Sequence, residues 1–240
     1  MKTTGVAVIG SGGIGTLRAH SCTQIPQVDY LAVCDTKQEK LGDLAAATNA
    51  DMRTSDYEEA IRDDRVGAVF VSTDEENHHG PAALAAELGK PVLIEKPFVL
   101  DLDEADDILA KAKASGSEVF VGYTQRFRRR YLLAKQAVQQ GQLGEIVMAM
   151  GKIYVTRAVG EAVASRSPNT TPSINTLTYL VDLILWYMEG KKPVEVYARA
   201  ASVVFKKYNR DDFQWMMVTF DDGSVATLGT SWLPPHHWPA

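Results

Sequence analysis

The sequence predicts an α/β fold in two parts: a doubly wound parallel sheet, then a smaller α+β unit on a mainly antiparallel sheet. Three observations carry this. Over residues 1–122, short apolar runs alternate with helical segments of the length a βαβ crossover needs. Those runs are apolar almost throughout, as strands covered on both faces are. Over residues 123–240 the runs lengthen, alternate apolar with polar, and include the hairpin turn "FDDGS" at 220–224.

In the first part, "GVAVIG" (5–10) is a strand running into glycines, and 16–25 has helical spacing. "DYLAVCD" (29–35) is a strand ending in an acid, and 37–48 is a helix. A helix over 55–63 opens on Ser55 with Glu58 three residues on, a capping box. Strand 66–73, helix 80–89 closed by Gly89, strand "KPVLIEKP" (90–97), helix 101–114 and strand 117–123 complete it. In the second part a helix over 127–140 precedes strands at 145–156, 193–205, 213–220 and 224–232, with a helix over 174–189 between the first two.

The loop "VIGSGGIG" (8–15) places Gly10, Gly12 and Gly15 in G-x-G-x-x-G spacing, with Ser11, Gly13 and Ile14 between them. Gly10 allows the tight turn, Gly12 lets backbone approach a diphosphate, and Gly15 lets the helix pack on the sheet. The helix N-terminus offers N–H groups and a positive dipole end to phosphates. Asp35, twenty residues beyond Gly15, ends the second strand, where a carboxylate accepts from ribose hydroxyls and repels a 2′-phosphate. NAD is therefore expected over NADP, with Lys37 softening the repulsion. Against this stands a glycine-rich turn that binds nothing.

In "KPVLIEKP" an acid, an amine and a proline follow an apolar core strand. Ligands of doubly wound sheets sit outside the carboxyl ends of strands. Lys96 thus shares a rim with Gly12 and can hydrogen-bond a substrate oxygen, moving a proton as hydride leaves or reaches carbon. Glu95 and Lys96, as neighbours, have different tasks. Elsewhere a lysine at a strand end usually does no more than reach for solvent.

"AVIGSGGIG", "VCD", "VST…H", "GKPVLIEKP", "GYTQRF" and "GQLGEI" together resemble the Gfo/Idh/MocA family of glucose–fructose oxidoreductase and inositol dehydrogenase, over essentially the whole chain. The resemblance implies a Rossmann domain followed by an α+β domain whose sheet covers the active site and forms subunit contacts. It implies a tightly held nicotinamide cofactor, Lys96 as catalytic lysine and cofactor contact, and a cis bond before Pro97. Thr73 and His78 match positions lining the cofactor, and Glu95 matches an acid near the nicotinamide ribose.

Departures accompany the match. The family's D-x-x-x-H-x-x-D signature aligns with Asn175, Tyr179, Asp182 and then Trp186, at spacings of four, three and four that share one helical face. The resemblance then gives Tyr179 the histidine's place in proton transfer, with Lys96 as partner and Asn175 orienting. The bland reading is a core tyrosine with a wet tip. Asp74 and Glu75 stand where proline and asparagine are common. The chain reads "TSWLPPHHWPA" where family members continue, which implies a partial chain, or a shortened one whose sheet edge a neighbouring subunit covers.

The function expected is an NAD(P)-dependent oxidoreductase interconverting a secondary alcohol and a ketone on a sugar, cyclitol or related polyol, with hydride passing to or from nicotinamide C4. The alternatives are a non-catalytic dinucleotide-binding sensor or structural protein, or a glycosidase or lyase that recycles NAD. A net charge of -5 argues against nucleic acid, despite "RFRRR" at 126–130. Two cysteines make no disulfide framework or zinc pattern, and "HHW" lacks a third ligand, so no metal is expected. No membrane span or signal peptide is read. A cytoplasmic homodimer or homotetramer, built through the second sheet, is expected.

Overall fold

A computed structural model describes residues 3–237. The chain divides into two compact units between Gly122 and Tyr123.

The first unit runs β1 (Thr4–Ile9), α1 (Gly13–Cys22), β2 (Val28–Cys34), α2 (Gln38–Thr48), β3 (Met52–Thr54), α3 (Tyr57–Arg62) and β4 (Val66–Val71). It continues with α4 (His79–Glu87), β5 (Val92–Ile94), α5 (Leu102–Ser115) and β6 (Val119–Val121). The strands form one six-stranded sheet in the order β3-β2-β1-β4-β5-β6, every pair parallel. Successive residues face opposite sides. Ala7, Ile9, Ala32, Val69 and Val71 enter one core, and Val6, Val8, Leu31 and Val33 the other. That double burial is why the runs lack alternation. Winding reverses between β1 and β4, which opens a crevice at their carboxyl ends.

Three local expectations change. Short, polar β3 carries no strand pattern and exists through its pairing with Ala32–Cys34. Asp56, not Ser55, caps α3, its Oδ1 accepting the Glu58 N–H at 2.8 Å. β5 ends at Ile94, although the Glu95 N–H still donates to Val71 O at 2.9 Å.

The second unit runs α6 (Arg129–Gln139), β7 (Met148–Tyr154), α7 (Arg157–Arg166), a π-helical turn (Ser173–Leu177), α8 (Thr178–Tyr187), β8 (Pro193–Ala201), β9 (Phe213–Phe220) and β10 (Val225–Ser231). Its four-stranded sheet has the order β7-β10-β9-β8. The β7–β10 pair is parallel and the others antiparallel, so the sheet is mixed. Leu177, Ile184 and Met188 pack with Val218, Phe220 and Leu228 over one sheet face. α7 has no counterpart in the sequence reading. Gly160 lies in its middle, and a Cβ there would come within 2.9 Å of Trp232, so close packing overrides a poor helix former. β8 stops at Ala201, because the chain then turns around the wholly buried Asp212. That carboxylate accepts N–H bonds from Val203, Val204 and Phe205.

Candidate active site

Gly10 leaves β1 at φ +101°, and a Cβ there would lie 2.5 Å from Ser72 O. At Gly15 a Cβ would lie 1.8 Å from Gly10 O. The chain's own packing therefore requires both glycines. Gly12 and Gly13 differ: a Cβ at either meets nothing within 4 Å. Gly12 caps α1 without a side-chain bond, and no acid lies in the first turn. The result is an open cradle before the N–H groups of a helix N-terminus, the setting that suits a diphosphate.

Asp35 is held rigidly. Its Oδ2 accepts the Ser11 N–H and hydroxyl, both at 2.7 Å, and its Oδ1 accepts the Lys37 N–H at 2.8 Å. Burial alone would raise this carboxyl, but those donors outweigh it and hold the group below its ordinary value. Ser11, expected among the dinucleotide contacts, instead directs its donors at Asp35.

A cavity of about 490 Å³ lies at the crevice. Of the expected residues, Gly10, Gly12, Asp35 and Thr73 line it. The hydroxyls of Ser72 and Thr73, just past β4, are buried and have no hydrogen-bond partner. Such orphans are costly unless a ligand meets them. The open cradle, the fixed carboxylate and the two orphaned hydroxyls fit a nicotinamide dinucleotide. Asp35, Asp74, Glu76 and Glu104 face this space against Lys37 and Lys40, a balance hostile to an added 2′-phosphate. Glu75 turns inward and is buried. Tyr57, Asn77 and His79 also line the cavity and were not anticipated. They come from α3, from a turn and from the start of α4, and no motif marks them. His79 is paired to Asp107 at 2.8 Å.

Beyond β5, the Lys96–Pro97 bond is cis and Lys96 is half-buried. Arg18 of α1 holds Glu95, at 2.6 Å through Nη2 and 2.8 Å through Nε. A Cβ at Gly122 would come within 2.8 Å of the Glu95 carboxylate. The ribose contact implied for Glu95 thus meets a carboxylate already paired and outside the cavity lining. His78 lies deeper still. It is 1% exposed and absent from the lining, and its ring contacts backbone carbonyls only.

In the second unit, Asn175 is buried within the π-helical turn and Tyr179 is half-buried in the first turn of α8. The π turn interrupts the uniform helical spacing on which their shared face rested. Trp232 Nε1 donates to Thr176 Oγ1 at 3.0 Å, and that hydroxyl donates to Asn175 Oδ1 at 3.3 Å. The Tyr179 ring meets Tyr123 edge-on at 6.4 Å. The Tyr123 hydroxyl bonds Thr178 Oγ1 at 2.7 Å, and burial raises the phenol above its ordinary value. Asp182 is an anchor: Arg126 grips both its oxygens, at 2.8 and 2.5 Å, and lies 5.3 Å over Trp186. Of "HHW", His236 pairs with Glu161 at 3.2 Å, and the tryptophan lies outside the described residues. Among the described residues no group of three or more His, Cys, Asp or Glu could hold a metal, and no helix is long and apolar enough to cross a membrane.

Residues 4–123 match the oxidoreductase family with an NAD-binding Rossmann fold, GFO_IDH_MocA, and residues 131–239 match the GFO/IDH/MocA C-terminal domain. The chain belongs to this family. Among curated relatives it is 26% identical to the uncharacterized oxidoreductase YrbE of Bacillus subtilis, over 93% of this chain and 66% of the relative. It is 25% identical to myo-inositol 2-dehydrogenase of Thermotoga maritima, over 94% and 68%. The chain thus spans about two thirds of the length of these relatives. Its fold is similar to that of myo-inositol 2-dehydrogenase from Lactobacillus plantarum, with TM-score 0.90, 22% identity, and coverage of 98% of this chain and 71% of that one.

Proposed function

We propose that this chain carries the cofactor and proton-transfer machinery of an NAD-dependent dehydrogenase that interconverts a secondary alcohol and a ketone on a cyclitol or related polyol. The observation that supports it most is the unexplained freedom at Gly12. The fold needs Gly10 and Gly15, while Gly12 leaves open space beside the cavity, room that a diphosphate can fill. When bound, a nicotinamide supplies hydride acceptance and donation. The chain's part is to cradle the diphosphate at the α1 N-terminus, receive ribose hydroxyls at Asp35, and offer hydroxyls from Ser72 and Thr73. Lys96 holds the substrate oxygen and exchanges its proton. Tyr179 shares that proton work, and Asn175, fixed by Thr176 and Trp232, orients the substrate.

The relatives named inositol dehydrogenases give the substrate class its support, and the acid-rich lining favours NAD over NADP. We further propose self-association through the second-unit sheet, where Met148, Met150, Tyr197 and Met217 leave apolar surface exposed. Light scattering that returns a monomer mass at micromolar concentration would refute it. The activity itself is tested by incubating the protein with NAD⁺ and either myo- or scyllo-inositol and following absorbance at the NADH band. Reduction that disappears in Lys96→Met supports the reading. NADH binding without turnover of any polyol overturns the dehydrogenase and favours the sensor.

A further inference from the structure

His78 joins two loops that the proposed chemistry needs in register. Its Nδ1 lies 2.9 Å from Pro97 O and 3.2 Å from Phe98 O. Its Nε2 lies 3.2 Å from Thr73 O. Pro97 and Phe98 directly follow Lys96, and Thr73 lines the dinucleotide cavity. The ring is 1% exposed, so the imidazole itself is shielded from solvent. Carbonyl oxygens only accept, and a ring nitrogen donates only when it carries a proton. A singly protonated ring bonds one loop, and a doubly protonated ring bonds both. An apolar side chain of like volume would fill the space but leave buried carbonyls without donors, a costly state.

We propose that His78, with a proton on each ring nitrogen, is a positioning residue that spaces the Lys96 loop from the dinucleotide wall, Nδ1 donating to the lysine side and Nε2 to the Thr73 side. The role rests on the dehydrogenase reading, since it gives both loops their purpose. Residues 95–98 follow a strand of only three residues, so strand pairing alone holds them weakly. A rigid five-membered ring between the loops sets their separation as a flexible side chain could not.

The two nitrogens can be tested separately, because an asparagine amide nitrogen falls near the place of Nδ1 and a glutamine amide nitrogen near that of Nε2. The test compares the unaltered protein with His78→Asn, His78→Gln and His78→Leu. NADH affinity is read by fluorescence. The Lys96 loop is read by the rate at which limiting acetic anhydride modifies Lys96, and by hydrogen exchange over 95–101, both with mass spectrometry. His78→Asn should leave both loop readouts within about twofold of the unaltered protein and weaken NADH binding by about threefold to tenfold. His78→Gln should do the reverse, keeping NADH affinity while changing Lys96 modification by about threefold or more. His78→Leu should lose both. Equal behaviour of the Asn and Gln proteins on both readouts, equal unfolding included, overturns the proposal, as does a Leu protein that matches the unaltered one. Failure of the unaltered protein to bind NADH would instead sink the dehydrogenase reading.

Discussion

The two units differ in where their unpartnered polar groups lie. In the second, Arg126 grips Asp182 with two bonds, and three backbone amides enclose Asp212. Its buried unpartnered atoms, on Gln125, Arg157, Arg210 and Thr230, lie far apart along the chain. In the first, the two unpartnered hydroxyls belong to adjacent residues, Ser72 and Thr73, that line one cavity beside a glycine whose missing side chain serves no neighbour. A polar group satisfied within the chain reports on stability, and one left open beside a cavity reports on a ligand.

That contrast breaks most visibly at the rim of the first unit. Lys96→Met should lower polyol-dependent NAD⁺ reduction by about a hundredfold to ten-thousandfold, with NADH affinity little changed. Calorimetric affinity falling in parallel would make Lys96 a cofactor ligand instead. Gly15→Ala should cost about 3 kcal/mol of stability, because the carbonyl at its Cβ position is backbone and cannot yield. Urea unfolding checks this, and Gly12→Ala serves as the neutral control. In the second unit, Asp182→Asn should cost about 2 kcal/mol with no effect on NADH affinity. The solvent exposure of Arg126 keeps the figure from being larger. A changed NADH affinity would remove the distinction between the units.

Asp35 tests the first unit more finely. Its folded carboxyl lies below the ordinary value of 3.8, so its contribution is complete above that value and is lost as pH falls through the folded one. Asp35→Asn should flatten the stability profile on the acid side and weaken NADH binding by about tenfold. Urea midpoints at a series of acid pH values read the first effect. A chemical probe of the same core is Cys34, whose thiol burial pushes up to about 12. Iodoacetamide should modify it about a thousandfold slower than a free thiol at pH 8, with unfolding restoring the rate.

How much was legible follows the same division. The parallel sheet and the glycine-rich turn after β1 were readable, because covered strands and tight turns restrict residue type through local physics. Ser11, Glu95 and His78 make bonds within the chain that the sequence did not show. Their bonds run to Asp35, Arg18 and the Pro97 loop, pairings between 19 and 77 residues apart that no local pattern encodes. Tyr57, Asn77 and His79 reach the cavity for the same reason. In the second unit, Gly160 hid α7, and the π turn spoiled a face inferred from ideal helical spacing.

The most direct measurement is isothermal titration of NADH into the unaltered protein and into Gly12→Ala, each with its melting temperature. Micromolar or tighter binding by the first, lost in a second protein that melts at the same temperature, is the predicted result. Equal affinities in the two proteins would contradict the account, since the space beside Gly12 would then hold no diphosphate.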